Sequence, residues 1–172
     1  MIALEVRRSK MNKAILIGIT ALSTLFLLAA VTPAIATSRQ PYWAQVQYGY
    51  PGAPAKMWFA DGIMQVEGMP WSGAYVGTLG TGTIDVLFQH LTVNTATGSG
   101  TFIATWTITI PGAGTMSGGA NGKIVGGLTG SADGSFRGTH GTGAFENVEK
   151  MGTFTVDLST GYEEEAGVII YH

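Results

Sequence analysis

Residues 83–110 read TIDVLFQHLTVNTATGSGTFIATWTITI. Apolar and polar side chains alternate on both sides of a short polar segment that begins at Asn94, as expected for two half-buried strands joined by a turn. Gly98 would supply the positive φ that this turn needs. The alternation changes phase just after Phe88, which predicts a bulge near Gln89-His90. This stretch therefore predicts a β-hairpin whose apolar face points inward.

The chain after residue 36 has the same character throughout, with short apolar-polar runs separated by glycines. It contains 25 of the 26 glycines, and glycine interrupts every window with helical periodicity. Asp61-Gly62 forms a turn or bulge pair that would split the first run in two. Nine runs are predicted as strands: residues 56–66, 73–79, 83–94, 101–110, 122–128, 134–138, 143–148, 153–158 and 167–171. Nine short runs are typical of a closed barrel or a sandwich, and we predict an all-β fold: a single antiparallel β-barrel of eight to nine strands in a meander.

A G-x-F motif recurs at a spacing of nine residues, in Gly134-Ser135-Phe136, Gly143-Ala144-Phe145 and Gly152-Thr153-Phe154. Nine residues correspond to about one short strand and one tight turn. Each phenylalanine is predicted to point inward, and each glycine to relieve a bend of the barrel. A β-solenoid shares this period, but three copies are too few for one. The repeat therefore favours the meander.

Residues 126–148, GGLTGSADGSFRGTHGTGAFENV, resemble the glycine-spaced strands of the allene oxide cyclase and dirigent type of β-barrel. The resemblance covers about residues 98–158 and depends on the G-x-F and G-T-G patterns. It implies an eight-stranded antiparallel barrel with an apolar cavity, and a homotrimer as in the plant relatives. The polar constellation of the cyclases has no residue-by-residue match here, so no catalytic residue is carried over.

The first 36 residues predict an export signal. Four basic residues precede an uncharged run over 14–31, and Ala34-Ile35-Ala36 supplies the small residues of a cleavage site before Thr37. We therefore predict a secreted, extracellular protein that has no membrane segment after cleavage. The alternative is an uncleaved membrane anchor through residues 14–31, because that run is close to the length that spans a bilayer. The predicted organisation is a signal peptide over 1–36, an extended aromatic arm over 37–54 and a β-barrel domain over 55–172.

Charge and residue usage exclude several classes of function. Removal of the signal would leave five basic against ten acidic residues, so no basic surface is predicted for nucleic acid. The chain has no cysteine, which excludes thiolate chemistry and disulfides. The three histidines lack the spacing of metal ligands. We predict no metal site and no cofactor.

The remaining candidates for chemistry are few. His90, at the predicted bulge, is the histidine that would face a cavity and act as an acid or base. Asp61, Glu67 and Asp85 are the carboxylates predicted beside or within strands, in the half of the domain that carries the tryptophans. Candidate ligand-binding residues are the aromatic side chains Trp58, Trp71, Trp106 and Phe88. The acidic run Glu163-Glu164-Glu165 is predicted to solvate a loop, and the alternative is a weak cation site.

These observations favour an exported β-barrel that binds a small apolar ligand or serves in an extracellular assembly, since no convincing catalytic group is apparent. The alternative is a cofactor-independent isomerase or cyclase that acts on a hydrophobic substrate in the barrel. His90 and one of Asp61, Glu67 or Asp85 would then form its polar pair. A third hypothesis is an adhesion or envelope protein, which edge-to-edge or trimeric assembly would reveal.

Overall fold

The computed structural model describes residues 37–172, which form an all-β structure with almost no helix. Its ten strands are β1 (Ser38–Tyr48), β2 (Lys56–Ala60), β3 (Ile63–Glu67), β4 (Met69–Gly77), β5 (Gly80–Asn94), β6 (Gly100–Ile110), β7 (Gly114–Val125), β8 (Ser131–Gly141), β9 (Val148–Asp157) and β10 (Tyr162–Tyr171). Two single-turn 3₁₀ helices, Gly127–Thr129 and Gly143–Phe145, lie between strands. The predicted signal peptide and the alternative anchor lie outside the described residues. Within residues 37–172, no helix reaches the length and apolarity needed to cross a membrane.

Eight of the strands close into an antiparallel barrel. Strands β4 to β10 pair in chain order, and β1 closes the ring because it pairs with both β10 and β4. The hairpin of β2 and β3 lies outside the ring, where β3 pairs with the last residues of β5. The prediction of an all-β antiparallel barrel is therefore confirmed in outline. The barrel strands follow an up-and-down order that the β2–β3 hairpin interrupts between β1 and β4.

Three local predictions are confirmed. The segment from Asn94 joins β5 to β6, and Gly98 has a φ of 69°. The register of these strands shifts between Phe88 and His90, where the bulge was expected. The pair Asp61-Gly62 has φ values of 51° and 75° and separates β2 from β3. Two successive positive φ values are typical of the tight turns that join hairpin strands.

The predicted aromatic arm is wrong for Ser38–Tyr48, because these residues form β1 and close the barrel. Tyr42, Ala44, Val46 and Tyr48 point inward while the residues between them are exposed. The proline within this strand, Pro41, lies in the part of β1 that pairs with β10 alone, where a missing N–H is tolerated. The barrel domain therefore begins before residue 55.

Two strand predictions also need correction. Residues 143–148 were expected to form a strand, but Gly143–Phe145 is a 3₁₀ turn and β9 begins only at Val148. Strand β7 begins at Gly114, eight residues before the run predicted over 122–128. Its glycine-rich first half carries too few apolar side chains to show the alternation of a strand.

Glycines make room inside the barrel for aromatic rings on the neighbouring strands. Three phenylalanines each lie directly opposite a glycine: Phe102 opposite Gly122, Phe154 opposite Gly134, and Phe136 opposite Gly152. A Cβ atom on these glycines would lie 2.6, 2.4 and 2.8 Å, respectively, from the end of the facing ring. This packing accounts for the first and third copies of the G-x-F motif, and the phenylalanines of all three copies are buried, as predicted.

The interior is packed at one end and open at the other. The packed end contains the fully buried side chains of Tyr75, Ile108, Met116 and Ile169. Cross-strand pairing places Ile108 opposite both Ile84 and Met116, so that these apolar side chains fill the space between strands. The other end, formed by the last residues of β1, β5, β7 and β9 and the first residues of their partners, contains a cavity.

Candidate functional site

The cavity has a volume of about 290 Å³ and almost wholly apolar walls. Interiors of proteins are close-packed, and voids larger than a water molecule are few. A space of this size is near the lower end of the range for small-molecule sites, about 300–1,000 Å³. The open end of the barrel is therefore a candidate binding site.

The cavity reaches the surface at its rim. Tyr50 and Pro51, which follow β1, line the opening and are exposed. Leu128, in the first 3₁₀ turn, also lines the cavity and is about half exposed. These exposed side chains border the mouth of the cavity at the protein surface.

Aromatic rings form a continuous arc along the wall. Tyr48 stacks on Trp71 at 4.2 Å between ring centroids, and Trp71 lies 6.1 Å from Phe88. The arc continues from Phe88 through Phe102, 5.3 Å away, to Phe154 at a further 6.0 Å. The indole N–H of Trp71 donates to the carbonyl oxygen of Gly49 at 2.6 Å. Because this polar atom already has a partner, the arc offers apolar ring surface to a ligand.

Two carboxylates form the polar end of the cavity. Glu163 and Glu165 lie two residues apart on β10, so both point into the barrel, whereas Glu164 between them points outward. Both line the cavity, and only 6% and 7% of their surfaces are exposed. The prediction that the acidic run solvates a loop is therefore wrong, because the run belongs to a barrel strand and alternates between its two faces.

Lys150 is a buried cation beneath this acidic pair. Its ammonium lies 2.7 Å from Oε2 of Glu165 and donates to the hydroxyl oxygen of Tyr42 at 2.6 Å. It lies 4.4 Å from the ring centroids of Tyr42 and Phe136 and 4.6 Å from that of Trp106. Since Lys150 is fully buried and does not line the cavity, its charge is balanced inside the barrel by Glu165 and the surrounding rings.

Two tyrosine hydroxyls complete this polar group. The hydroxyl of Tyr42 donates to Oε2 of Glu165 and lies 3.1 Å from the hydroxyl of Tyr75. Burial, followed by the charge of Glu165, raises the pKa of Tyr42 far above its ordinary value. Burial also raises the pKa of Tyr75. Both phenols therefore stay protonated and act as hydrogen-bond donors.

Glu163 is the acidic group with the freer carboxyl. Its hydrogen-bond partner on β1 is the hydroxyl of Tyr48, at 3.5 Å. Burial first, and then the charge of Glu165, raises the pKa of Glu163 well above its ordinary value, although Lys150 and Tyr48 act in the opposite direction. Burial also lowers the pKa of Lys150, against the opposing effect of Glu165. The site thus holds one carboxyl that favours its neutral form beside one that is paired with a cation.

The aromatic candidates from the sequence fall in two places. Trp71, Trp106 and Phe88 line the cavity. Trp58 lies on β2, in the hairpin outside the barrel ring, and does not line the cavity.

The polar candidates from the sequence lie outside the cavity. His90 and Glu67 are brought together, with 4.0 Å between Nδ1 and Oε1, but both side chains are more than 40% exposed. Asp85 is exposed and accepts a hydrogen bond from Ser72 at 2.6 Å. Asp61 is in the turn between β2 and β3. The polar pair proposed for an isomerase is thus formed at the surface, by His90 and Glu67.

Sequence reasoning missed the polar residues that do face the interior: Tyr42, Tyr48, Lys150, Glu163 and Glu165. A usable signal was the period of two that runs back from buried Ile169 through Gly167 to Glu165 and Glu163. In the same way, Lys150 is in phase with Val148 and Phe154 on β9. Within residues 37–172, no three His, Asp or Glu side chains come close enough together to hold a metal ion.

Comparison with known proteins adds no further assignment. The chain matches no protein-family model and no curated protein. The functional argument therefore depends on the geometry of the cavity.

Proposed function

We propose that this β-barrel binds a small, largely apolar molecule in its cavity, with the polar end of the molecule against Glu163 and Glu165. The observation that carries the proposal is the cavity of about 290 Å³, which is open at its rim and lined by aromatic and aliphatic side chains. Apolar clefts with a few convergent polar groups are the usual form of a small-molecule site.

The arrangement of the walls supports binding rather than incomplete packing. The packed end of the same barrel shows that this chain can fill its interior with side chains. At the open end, small residues face the space, among them Ala104, Ala120 and Ala132. An apolar ligand that fills this space would remove ring surface from water, which stabilises the complex by about 25 cal/mol for each Å² buried.

We also propose that the protein acts outside the cytoplasm, after removal of residues 1–36. Support comes from the basic, apolar and small-residue order of that segment. Native mass spectrometry of the protein purified from the culture medium of its source organism tests both proposals together. The mass of a chain that begins at Thr37, together with a retained small molecule, supports both proposals. The same spectrum reports whether the protein is a trimer, as its resemblance to the plant proteins implies. Detection only in the membrane fraction would contradict the location.

A cavity-filling variant tests the binding site directly. Ala120 lines the cavity, whereas Ala166 is an exposed residue on β10, so Ala120→Leu and Ala166→Leu make the same change inside and outside the barrel. The neutral fluorescent probe N-phenyl-1-naphthylamine should bind to the wild type and to Ala166→Leu. Its affinity for Ala120→Leu should fall at least about tenfold. Equal binding to all three proteins, or to none, would overturn the proposal.

A second candidate function is proton-transfer catalysis, such as a cofactor-independent isomerisation or cyclisation of a hydrophobic substrate. The observation that favours it is Glu163, a buried carboxyl with a raised pKa that faces the cavity beside a second carboxylate. Such a group holds its proton at a higher pH than an ordinary carboxyl and can transfer it to a bound substrate. Once a substrate is found, Glu163→Gln should abolish turnover, and undiminished turnover would exclude this mechanism.

A further inference from the structure

We infer that the natural ligand of the cavity carries a cationic amino group, which binds between Glu163 and Glu165. This inference rests on the proposed binding function and specifies the chemistry of the ligand. Of the side chains within residues 37–172 that line the cavity, these two glutamates are the ones that bear a carboxyl group, and none bears an amino or guanidinium group. An amine is therefore the charged group that the cavity complements.

The balance of buried charge leads to the same conclusion. The polar group contains two carboxyls, Glu163 and Glu165, but one ammonium, Lys150. Unpaired charges are costly in a desolvated interior, so the empty site reaches neutrality when Glu163 holds a proton. A bound ammonium can replace that proton, because both carboxylates then have a cationic partner. A carboxylate ligand would instead add a third acidic group.

The barrel already holds an ammonium in the way that we infer for the ligand. The ammonium of Lys150 contacts Glu165 and lies within 4.6 Å of the centroids of three rings, those of Tyr42, Phe136 and Trp106. Two of these rings, Phe136 and Trp106, also line the cavity. A ligand ammonium on the cavity side of Glu165 would therefore meet the same two kinds of partner, a carboxylate and aromatic faces.

Glu163 has hydrogen-bonding capacity for such a group. Its contact with Tyr48 is long, at 3.5 Å, and its other side-chain partner is Glu165, so an ammonium between the two carboxyls would replace the proton that they share. The titratable groups that face Glu163 are Glu165 on the same strand, Tyr48 on β1 and Lys150 on β9. Since burial raises the pKa of Tyr48 and keeps its phenol protonated, Glu163 is the group that loses a proton when an ammonium arrives.

Three probes with the same ring distinguish the charge of the ligand: 2-phenylethylamine, 2-phenylethanol and 3-phenylpropionate. Isothermal titration calorimetry with residues 37–172 should give an affinity for the amine at least about tenfold higher than for the alcohol, and the lowest affinity for the carboxylate. Titrations in buffers that differ in ionisation enthalpy should show net proton release when the amine binds, and none when the alcohol binds.

Two neighbouring variants provide the matched comparison. Glu163→Gln removes the ionisable group from the cavity, whereas Glu164→Gln makes the same change on the outer face of β10. Glu163→Gln should lower the ratio of amine to alcohol affinity by about tenfold and abolish proton release, while Glu164→Gln should change neither.

The outcomes separate this inference from the binding function itself. If the alcohol or the carboxylate binds as tightly as the amine, or if proton release persists in Glu163→Gln, the inference is overturned and the apolar binding site stands. If none of the three probes binds and N-phenyl-1-naphthylamine also fails, the proposed function falls with it. Preference for the amine with proton release that requires Glu163 supports both.

Discussion

The ammonium of Lys150 lies 2.7 Å from Oε2 of Glu165, and at most 5% of either side chain is exposed. An isolated charge in such a place would be strongly unfavourable, so removal of either partner should be costly. A second ion pair of the same barrel lies on the outside, where Nη2 of Arg137 is 2.6 Å from Oε1 of Glu149 and the arginine side chain is 67% exposed. The two pairs differ in burial more than in distance, which allows the effect of burial to be measured.

Replacement of Lys150 by methionine should destabilise the protein strongly. The change keeps an unbranched side chain but leaves Glu165 buried without its cation, which typically costs about 3–5 kcal/mol. Arg137→Met removes the cation of the outer pair, in which 67% of the arginine and 15% of the glutamate side chain is exposed, and should cost less than Lys150→Met does. Urea unfolding of residues 37–172 measures both free energies. Equal losses of stability in the two variants would contradict the conclusion that burial makes the Lys150–Glu165 pair more important. The double variant Lys150→Met, Glu165→Gln should recover most of the stability that Lys150→Met loses.

The stability of the wild type relative to Glu163→Gln should fall as the pH rises. The folded pKa of Glu163 is raised, so the folded state binds a proton that the unfolded chain releases near its ordinary pKa of 4.5. This contribution to the free energy of unfolding is fully present below that value and is lost as the pH rises through the folded pKa. The difference between the two proteins should change by at most about 1.4 kcal/mol per pH unit. Urea unfolding of both proteins from about pH 4 to about pH 8 measures this difference in the free energy of unfolding. A difference that does not change with pH would contradict the raised pKa of Glu163.

Gly138 should not tolerate a methyl group. A Cβ atom there would lie 2.4 Å from Cη2 of Trp106, so Gly138→Ala should cost about 1–3 kcal/mol through overpacking. Gly119 on β7 is the control, since its nearest neighbour would be 3.8 Å away, and Gly119→Ala should be neutral or stabilise by up to about 1 kcal/mol. Thermal unfolding measures both. Trp106→Phe should lower the stability less in the Gly138→Ala variant than in the wild type, because the smaller ring relieves the clash. If the effects of the two substitutions simply add, the proposed clash is excluded.

The stability of the turn between β2 and β3 should depend on backbone conformation and not on side-chain packing. Gly62 has a φ of 75°, and a Cβ atom there would meet nothing within 4 Å, so Gly62→Ala should cost about 1–2 kcal/mol through strain. Asp61→Asn keeps a residue that tolerates positive φ and should be harmless. Hydrogen exchange at amides of β2 and β3 should accelerate in Gly62→Ala and stay unchanged in β6. Acceleration throughout the barrel would show instead that the hairpin is part of the cooperative core.

Those parts of the fold whose cause is local could be predicted from the sequence. The hairpin of β5 and β6 followed from strict alternation, its turn from Gly98, and the bulge from the change of phase after Phe88. Each of these signals lies within a few residues of the feature that it specifies. The barrel that these strands form was predicted in its coarse outline for the same reason.

The missed elements depend on neighbours that are distant in the chain. Strand β1 has an alternating pattern, but its inward residues include tyrosines and an alanine that alternate with glutamines and an exposed tryptophan. The first half of β7 uses glycines such as Gly118 and Gly119, and their place in a strand is apparent only from the partner strands β6 and β8. Local propensity does not contain this information.

The polar site was missed for a similar reason. An acidic run is usually solvated, and Glu163 and Glu165 are buried because Lys150 lies on the adjacent strand to pair with one of them. The candidates His90 and Asp85 are outward-facing residues of β5, the strand whose inward residues Ile84, Phe88 and Leu91 line the cavity. A shift of one position along a strand decides whether a residue faces the ligand or the solvent.

The reciprocal placement of glycine and phenylalanine on β8 and β9 also protects the barrel against misalignment. Gly134 faces Phe154 and Phe136 faces Gly152. A slip of two residues, which keeps every side chain on its own face, would set Phe136 against Phe154 in one direction and Gly134 against Gly152 in the other. The first error forces two rings into one space and the second leaves a hole, so the sequence penalises the misalignments that alternation alone would permit.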